Sequence, residues 1–289
     1  MKKIHTILII LSFLVLFSVG CVKMALRISP TLIHGFTQTF FEECDLDLAK
    51  QSLPSNLKLM EGLLKNDPDN RQLLTSLCMG FTGYAMLFLA DDDPERASRL
   101  YFRARNYGLR TIGRNAFKLK GAGFKKDVIQ REMQAYGKKD IGALFWTAIS
   151  WNAWISLNLD KPAVLAQLGV AQECLKRVLE IQPDYFHGMA YIMMGSIYSI
   201  MPVALGGKAG LAKTYFEKAI DVSHGKLLLA QYYAAKHYAV RVQDKKLFLK
   251  LAKEVESTPP DGLKEVCLIN AVMKKKMKQL MEISEDLFF

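Results

Sequence analysis

The sequence has few prolines and lacks the patterns that mark β-strands and metal sites. Only 9 of the 289 residues are proline, and most of these lie where one helix is expected to end and the next to begin. No run of alternating apolar and polar residues bounded by Gly-Asn turns supports a strand. The 5 cysteines are scattered, without the Cys-x-x-Cys or Cys/His spacing of a zinc site. We therefore predict an all-α protein that holds no metal and no cofactor.

Catalytic motifs are missing as well. The stretch GAGFKK lacks the third glycine of a dinucleotide-binding loop, and GGKAGLAKT has its lysines misplaced for a phosphate-binding loop. MGSIYS has no glycine two residues after Ser196, so it forms no nucleophile elbow. The prediction is that the protein is not an enzyme, with a hydrolase site assembled only in space kept as an alternative.

The N-terminus, MKKIHTILIILSFLVLFSVGC, is typical of an exported protein. Lys2 and Lys3 precede an apolar run, Ile7–Phe17, that is too short to span a bilayer, and small residues lead to Cys21. This pattern predicts a bacterial lipoprotein signal over residues 1–20 and lipid attachment at Cys21. The alternative is an ordinary secretory signal with a chance cysteine. The lipoprotein signal predicts a protein anchored in the bacterial cell envelope and facing the periplasm, and Val22 in place of an aspartate favours the outer membrane over the inner one.

Two proline-containing segments, LLKNDPDN and VLEIQPDY, indicate an internal repeat. Their prolines, Pro68 and Pro183, are 115 residues apart, and further positions match at the same offset. These matches include Gly80 with Gly195, Ala97 with Ala212, and Tyr101 with Phe216. Proline at a helix start, small residues at helix crossings and a late aromatic residue are typical of tetratricopeptide pairs. We predict tetratricopeptide-like helical hairpins stacked into one curved domain over residues 47–289, after a lead segment over residues 21–46.

Proline and capping residues predict where the helices begin. At LADDDPERA the aspartates offer an N-cap, and Pro94 and Glu95 suit the first helical turn. A Gly-rich loop, LKGAGFKKDV, lies between the two matched pairs. The predicted helix starts lie near Pro54, Asn70, Pro94, Lys139, Pro162, Pro183, Lys208, Lys226, Asp244 and Gly262.

Four cysteines remain once Cys21 carries lipid. An exported protein could pair them, but Cys78, Cys174 and Cys267 lie in apolar helical stretches, where cysteine is usually a small core residue. We therefore predict these three as core residues, while Cys44 lies outside such a stretch.

Positive charge is concentrated in one part of the chain. Between Arg96 and Lys139 there are thirteen lysine and arginine residues against two acidic ones, and the rest of the chain is balanced. In a cytosolic protein this would suggest nucleic acid, but export argues against that partner. The remaining interpretations are anionic lipid headgroups, an acidic partner protein, or a solvated helix face. The candidates for a basic partner face are Arg96, Arg99 and Arg103.

Aromatic residues suggest a groove for a ligand or a partner. Three tryptophans share one weakly charged helix, ALFWTAISWNAWISL, and two tyrosines lie seven residues apart on another. The alternative is that these rings pack between helices, as repeat aromatics do. The groove candidates are Tyr84, Trp146, Trp151, Trp154, Tyr191 and Tyr198.

Five blocks of the sequence, taken in order, carry a family resemblance. They read LPSNLKLMEGLLKNDPDNRQLL, DDDPERASRLYFRARNYGLR, IMPVALGGKAGLAKTYFEKAID, YAVRVQDKKLFLKLAKEV and INAVMKKKMKQLMEISEDLFF. Together they resemble the TatT family, the T-components of tripartite ATP-independent periplasmic (TRAP) transporters. The resemblance runs from about Asp47 to Phe289.

The resemblance implies a periplasm-facing lipoprotein with a tetratricopeptide-like fold, attached to the membrane through Cys21. It further implies a homo-oligomer, with a trimer as the family expectation, and a partnership with the solute-binding P-component of the transporter. The implied ligand is a hydrophobic molecule or an organic acid, held by the P-component and passed through a cleft in the T-component. Leu205–Gly207 is implied to be a tight interhelical turn, and the family supplies no catalytic residues.

The predicted function is therefore that of an accessory, non-enzymatic component of a TRAP-type transporter. It would bind the P-component and relay a hydrophobic or organic-acid ligand. The alternative is an envelope lipoprotein that serves as a scaffold for protein assembly and binds no small molecule. Neither role involves nucleic acid.

Overall fold

A computed structural model describes residues 30–113 and 126–289, and within these ranges the chain is helical with no strand. The all-α prediction is thereby confirmed. The predicted signal sequence, Cys21 and most of the Gly-rich loop lie outside the described residues. The α-helices are α1 (Pro30–Glu42), α2 (Leu46–Leu64), α3 (Arg71–Phe88), α4 (Pro94–Ile112), α5 (Lys126–Met133), α6 (Ile141–Ser156), α7 (Pro162–Leu165), α8 (Leu168–Ile181), α9 (Met189–Ile200), α10 (Ala209–Val222), α11 (Leu229–Tyr233), α12 (Lys245–Ser257) and α13 (Cys267–Glu282).

Short 3-10 segments connect several of these helices, and a π-helical segment extends α11. The π-helical segment is Ala234–Ala239. The 3-10 segments are Lys138–Asp140, Tyr185–Gly188, Val203–Leu205, Pro260–Gly262, Lys264–Val266 and Ser284–Leu287.

Several helices begin where their capping residues predict. The side chain of Asn70 accepts a hydrogen bond from the amide of Leu73 at 3.0 Å and so caps α3. Asp93 caps α4 in the same way, with Pro94 as its first residue, and Asp244 caps α12. A cap satisfies an amide that has no partner within the helix, so a local sequence pattern is enough to predict these starts.

The predicted helix start at Pro54 is wrong. Helix α2 begins eight residues earlier, at Leu46, because the side chain of Asp45 accepts hydrogen bonds from the amides of Asp47 and Leu48. Pro54 therefore lies inside the helix, where its missing amide removes one backbone hydrogen bond. The lead segment predicted over residues 21–46 also contains a helix, α1, which packs against α3 and α13.

The predicted starts at Pro183 and Gly262 are wrong as well. Pro183 is followed by a 3-10 segment in which Phe186 and His187 have φ values of 48° and 55°, and α9 begins only at Met189. Left-handed backbone at two consecutive non-glycine residues is uncommon, and it turns the chain before α9 can start. Gly262 ends a 3-10 segment, five residues before α13 begins.

Consecutive helices pack on one another along most of the chain. The closely packed pairs are α2 with α3, α3 with α4, α4 with α6, α6 with α8, α8 with α9, and α9 with α10. The last helix, α13, contacts α12 but also returns to α1 and α2. This order fits stacked helical hairpins, and the assignment to a tetratricopeptide-like repeat stays a prediction.

The matched glycines both mark close helix crossings, but with different partners. A Cβ atom at Gly80 of α3 would lie 2.5 Å from Cδ2 of Leu57 in the preceding helix. A Cβ at Gly195 of α9 would lie 3.1 Å from the ring of Phe216 in the following helix. Both positions need a small residue, but Gly80 contacts the preceding helix and Gly195 contacts the following one.

The turn between α9 and α10 also depends on glycine. Gly206 has a φ of 94°, and a Cβ at Gly207 would lie 1.8 Å from the carbonyl oxygen of Met201. The backbone thus makes the tight interhelical turn that the family resemblance implies.

The four cysteines that the structure describes divide into a disulfide and two buried thiols. Cys44, between α1 and α2, is bonded to Cys267 at the start of α13, with their Cα atoms 5.3 Å apart. Cys78 and Cys174 are free and buried, as predicted, and burial raises the pKa of both thiols to about 12. The interpretation of Cys267 as a simple core residue is wrong, because α13 returns to the N-terminal helices and brings its first residue to Cys44.

Candidate functional site

A cavity of about 270 Å³ lies between the helical hairpins and the C-terminal helices. Its lining comes from α3, the turn after it, α4, α6, α8, α9, α11, the π-helical segment and α13. A mostly apolar cavity with a few polar groups is the usual form of a small-molecule site. The apolar lining residues include Met86, Ile149, Leu168, Met193, Ile197 and Ile200.

The two central helices are apolar on all sides, which explains their position beside the cavity. Neither α6 nor α9 contains a charged residue, and most of their side chains are buried. A helix without a polar face gains most free energy when neighbours surround it. Helices α6 and α9 are therefore enclosed by the others, and the space left between them and the C-terminal helices is lined mainly by hydrocarbon.

The π-helical segment supplies polar side chains to this wall. The amide of Val240 donates to the carbonyl of Ala235, five residues earlier, which is the π-helical spacing. Lys236 and His237 lie on this segment and line the cavity. Single π-helical turns occur frequently at functional sites, because the extra residue redirects the side chains around it.

Two lysines converge on one carboxylate at the cavity. Asp91, in the turn between α3 and α4, accepts hydrogen bonds from Nζ of Lys236 at 2.7 Å and from Nζ of Lys276 at 2.6 Å. Lys276 also donates to the carbonyl of Met86 at 3.2 Å. Burial alone would raise the pKa of Asp91, but the charges and hydrogen bonds of the two lysines outweigh it and hold the pKa at about 2.

The other titratable groups of the cavity are neutral at physiological pH. Burial and the nearby Lys236 lower the pKa of His237 to about 3, so its imidazole is uncharged. Burial raises the pKa of Tyr101, Tyr232 and Tyr233 above the ordinary value, which keeps their hydroxyls protonated. These groups can exchange hydrogen bonds with a ligand without changing charge.

The cavity wall therefore carries an excess of positive charge. Two ammonium groups face one carboxylate, and no other charged side chain occurs among the described residues that line the space. An unbalanced charge in an apolar wall favours a ligand with the opposite charge. Such a wall suits a small anion that also has an apolar part.

The described residues provide no metal centre. No group of three or more His, Cys, Asp or Glu side chains in residues 30–113 and 126–289 could hold a metal ion. Cys78 and Cys174 are fully buried thiols with raised pKa values, which makes them poor nucleophiles.

The six aromatic groove candidates lie in different packing environments, and none of them lines the cavity. Trp146 is buried against Phe41, Phe145 and Phe186. Tyr84 is buried beside Phe88. These two rings pack between helices, and each also lines a separate cleft, Tyr84 together with Phe41 and Met79, and Trp146 together with Tyr185 and His187, so a groove role for both stays a prediction.

The other four candidates form two clusters. The Cζ atom of Arg105 lies over the rings of Trp151 and Trp154, at 5.0 and 4.9 Å from their centroids. Tyr191 and Tyr198 both contact the ring of Tyr215, with centroids 6.0 and 5.6 Å away. Trp154, Tyr191 and Tyr198 are half-buried, so a partner contact at these two places stays a prediction.

The basic candidates differ in how free they are to meet a partner. Arg96 and Arg99 are exposed on α4, and among the described residues Arg99 pairs only with Glu95 one turn earlier. Arg103 is held by Glu61 of α2 and lies 4.6 Å from the ring centre of Phe81. Burial would raise the pKa of Glu61, but hydrogen bonds from Lys58 and Tyr107 and the charge of Arg103 lower it.

Sequence reasoning missed the polar residues of the cavity. The sequence predicts Asp91 only as part of an N-cap and His237 only as a lone structural histidine, and no motif points to Lys236 or Lys276. One signal was present: the pair Lys236 and His237 interrupts an otherwise apolar run, LLLAQYYAAKHYAV. A cation in such a run has to face either solvent or an internal polar site.

The fold and this site define an all-α protein with a mostly apolar cavity whose wall carries excess positive charge. The family model described as "TRAP transporter T-component" matches residues 42–288. The chain belongs to this family of transporter accessory components.

A relative from Treponema pallidum (strain Nichols), described as an uncharacterized protein, is 30% identical over 198 residues. The match covers 63% of this chain and 61% of that protein. Within the described ranges, no helix combines the length and the apolar character needed to cross a bilayer.

Proposed function

We propose that the protein is a lipid-anchored, periplasm-facing T-component that binds the P-component of a TRAP-type transporter and relays a hydrophobic or organic-acid ligand. The observation that carries this proposal is the central cavity, whose apolar lining and excess positive charge fit an organic acid. Family membership supports the transporter association, and the protein would act by binding rather than by catalysis.

An organic acid would divide its contacts between the two kinds of wall. Its apolar part would lie against the side chains of α6 and α9, and its carboxylate would accept hydrogen bonds from Nζ of Lys236 and Lys276. Asp91 already holds both ammonium groups in place, so binding would order few additional side chains. The neutral His237 and the tyrosine hydroxyls would add hydrogen bonds without opposing the charge.

Attachment through Cys21 would keep this cavity close to the transporter. An acyl anchor confines the domain to a thin layer at the membrane, which raises the effective concentration of a partner in the same layer. The Cys44–Cys267 disulfide supports this placement, because such bonds persist in oxidising compartments. Assembly into a trimer belongs to the same proposal and rests on family resemblance.

The first experiment is a pull-down of the mature chain from native envelope extract, with Cys21→Ser to remove the acyl chains. Mass spectrometry would identify retained proteins and small molecules. Recovery of a periplasmic solute-binding protein together with an organic acid is the expected result. Recovery of assembly or cell-wall proteins alone, with no small molecule, would instead favour the scaffold.

The cavity is tested separately by removing its charge. Lys236→Met and Lys276→Met should lower affinity for the recovered acid about tenfold or more each, because each removes a charge-assisted hydrogen bond. Lys275→Met is the matched control, since Lys275 neighbours Lys276 in sequence but does not line the cavity. Equal affinities in all three variants would exclude the cavity as the binding site.

A further inference from the structure

A second concave surface lies between α12 and α13, and it shares no lining residue with the central cavity. This surface, the C-terminal groove, has a volume of about 840 Å³. It is lined by Leu249, Ala252, Lys253, Val255, Glu256, Lys274, Lys275, Met277, Lys278 and Met281.

The spacing of these residues shows that each helix presents one face to the groove. On α12, positions 249, 252, 253 and 256 are three, four and seven residues apart, and on α13 positions 274, 277, 278 and 281 repeat that spacing. Each face combines apolar side chains with lysine. Leu249 is 44% exposed although it is apolar, so the groove leaves hydrocarbon in contact with water.

One lysine of the groove has a structural role. Nζ of Lys274 donates to the carbonyls of Val255, Glu256 and Thr258, at 3.0, 2.6 and 2.8 Å. These carbonyls end α12 and have no partner within the helix, so the ammonium caps the helix and fixes it against α13. Lys274 thus fixes the relative position of the two walls.

Three other lysines of the groove are available to contact a partner outside the chain. In the described part of the chain, Lys253, Lys275 and Lys278 have no carboxylate within ion-pairing distance, and all three are exposed. Glu256 is the one acidic residue among the described residues that line the groove. The groove therefore offers exposed hydrocarbon, three unpaired ammonium groups and little negative charge.

We propose that the C-terminal groove is a docking surface for an anionic lipid membrane. A bilayer interface accepts apolar side chains at the acyl boundary and binds ammonium groups at the headgroups, which is the combination found here. The aliphatic stems of Lys253 and Lys278 can lie along the apolar floor while their charges reach outward. A lipid surface is favoured over an acidic protein because charge and hydrocarbon are mixed on the same faces instead of forming an apolar centre with a charged rim: on α13 Lys278 lies between Met277 and Met281 in sequence, and on α12 Lys253 lies one turn from Leu249.

The test measures binding of the mature chain carrying Cys21→Ser to vesicles of phosphatidylcholine, with and without about one third phosphatidylglycerol. The triple variant K253E, K275E and K278E should bind the acidic vesicles about 100-fold more weakly at low salt. The difference should shrink at about 0.5 M salt, because screening shortens the reach of the headgroup charge. Leu249→Ser should weaken binding at both salt concentrations.

The matched control reverses three lysines elsewhere on the surface: K50E, K139E and K226E. These residues are exposed and make no ion pair with the described residues, so the net charge changes by the same amount. Weak binding of the groove variant with normal binding of the control would support the proposal. Three results would each overturn it. The first is an equal loss of vesicle binding in both triple variants, and the second is no binding of the parent chain to acidic vesicles. The third is normal vesicle binding by a groove variant that has lost an acidic protein partner. Thermal unfolding of every variant shows whether a loss of binding reflects a loss of fold.

Discussion

Lys276, on the last helix, donates to Asp91, in the turn between α3 and α4, across 185 residues of sequence. The same carboxylate binds Lys236 of the π-helical segment. Three distant parts of the chain thus meet at one carboxylate, and together they form the charged wall of the central cavity. The integrity of the cavity consequently depends on the C-terminal helices as much as on the N-terminal hairpins.

This contact predicts a specific loss of stability in acid. The pKa of Asp91 falls from 3.8 to about 2 on folding. The contribution of Asp91 to the free energy of unfolding is therefore fully present above pH 3.8 and is lost as the pH falls towards 2. Because Asp91 is 41% exposed, we expect on the order of 1 kcal/mol in the free energy of unfolding. Urea unfolding of wild type and Asp91→Asn at several pH values between 2 and 7 measures it.

In Asp91→Asn the stability curve should be flatter between pH 4 and pH 2 than in wild type. The exposed neighbour Asp92 gives the control, because it makes no ion pair with the described residues. If Asp91→Asn and Asp92→Asn show the same pH dependence, the two lysines do not hold Asp91 in its ionised form.

The buried Arg105 predicts a difference between two substitutions. Arg105 is 2% exposed, no carboxylate among the described residues pairs with it, and it lies over the rings of Phe102, Trp151 and Trp154. Burial lowers the pKa of Arg105 to about 10, so the charge is present at neutral pH. Arg105→Ala should cost about 2–4 kcal/mol through the cavity it leaves, while Arg105→Met should cost less than about 1 kcal/mol.

Tryptophan fluorescence during urea unfolding reports on both variants, because two of the rings over Arg105 are indoles. If Arg105→Met were as destabilising as Arg105→Ala, the guanidinium would matter through its hydrogen bond to Gln167, at 3.3 Å, rather than through the volume it fills. Oε1 of Gln167 also accepts from Nε1 of Trp151 at 3.0 Å, so Gln167→Ala separates these cases when it is compared in wild type and in Trp151→Phe.

The disulfide predicts a large loss of stability on reduction. It closes a loop of 223 residues, so the double variant C44S and C267A should lose about 2–5 kcal/mol in the free energy of unfolding. Wild type measured with a thiol reductant should match the variant, and the variant should not respond to the reductant. A response in the variant would mean that Cys78 or Cys174 also takes part in a bond.

The candidate basic partner face on α4 predicts a salt-dependent interaction with the proposed P-component partner. Arg96→Glu with Arg99→Glu should weaken binding more at low salt than at high salt, if the partner surface is acidic. Arg103 is unsuitable for charge reversal, because a carboxylate there would face Glu61 and destabilise the fold. Identical affinities of variant and wild type at every salt concentration would leave α4 with a solvated face.

Local patterns in the sequence predicted much of the helical structure. The caps at Asn70, Asp93 and Asp244 were visible because a capping side chain acts on an amide two or three residues away. Pro54 was misleading because proline is common at a helix start but also occurs inside α2, where the stronger cap of Asp45 decides the boundary.

The cavity could not be predicted from the sequence, because its polar contacts join residues far apart in the chain. Lys236 and Asp91 are 145 residues apart, and the two bonded cysteines are 223 residues apart. The left-handed backbone at Phe186 and His187 and the π-helical segment also have no local signature, since tertiary packing imposes them. Repeat spacing indicates that neighbouring helices pair. It does not indicate that α13 packs against the N-terminal helices, and the disulfide and the charged wall of the cavity depend on that packing.

The position of α13 also sets an order of events during biosynthesis. In an exported chain, Cys44 reaches the oxidising compartment long before Cys267, and Lys276 is among the last residues to emerge. The hairpins can therefore form while Cys44 is still an unpaired thiol and the cavity still lacks one wall. Closing the disulfide and completing the charged wall of the cavity would then both wait for α13, because Cys267 and Lys276 lie on that helix.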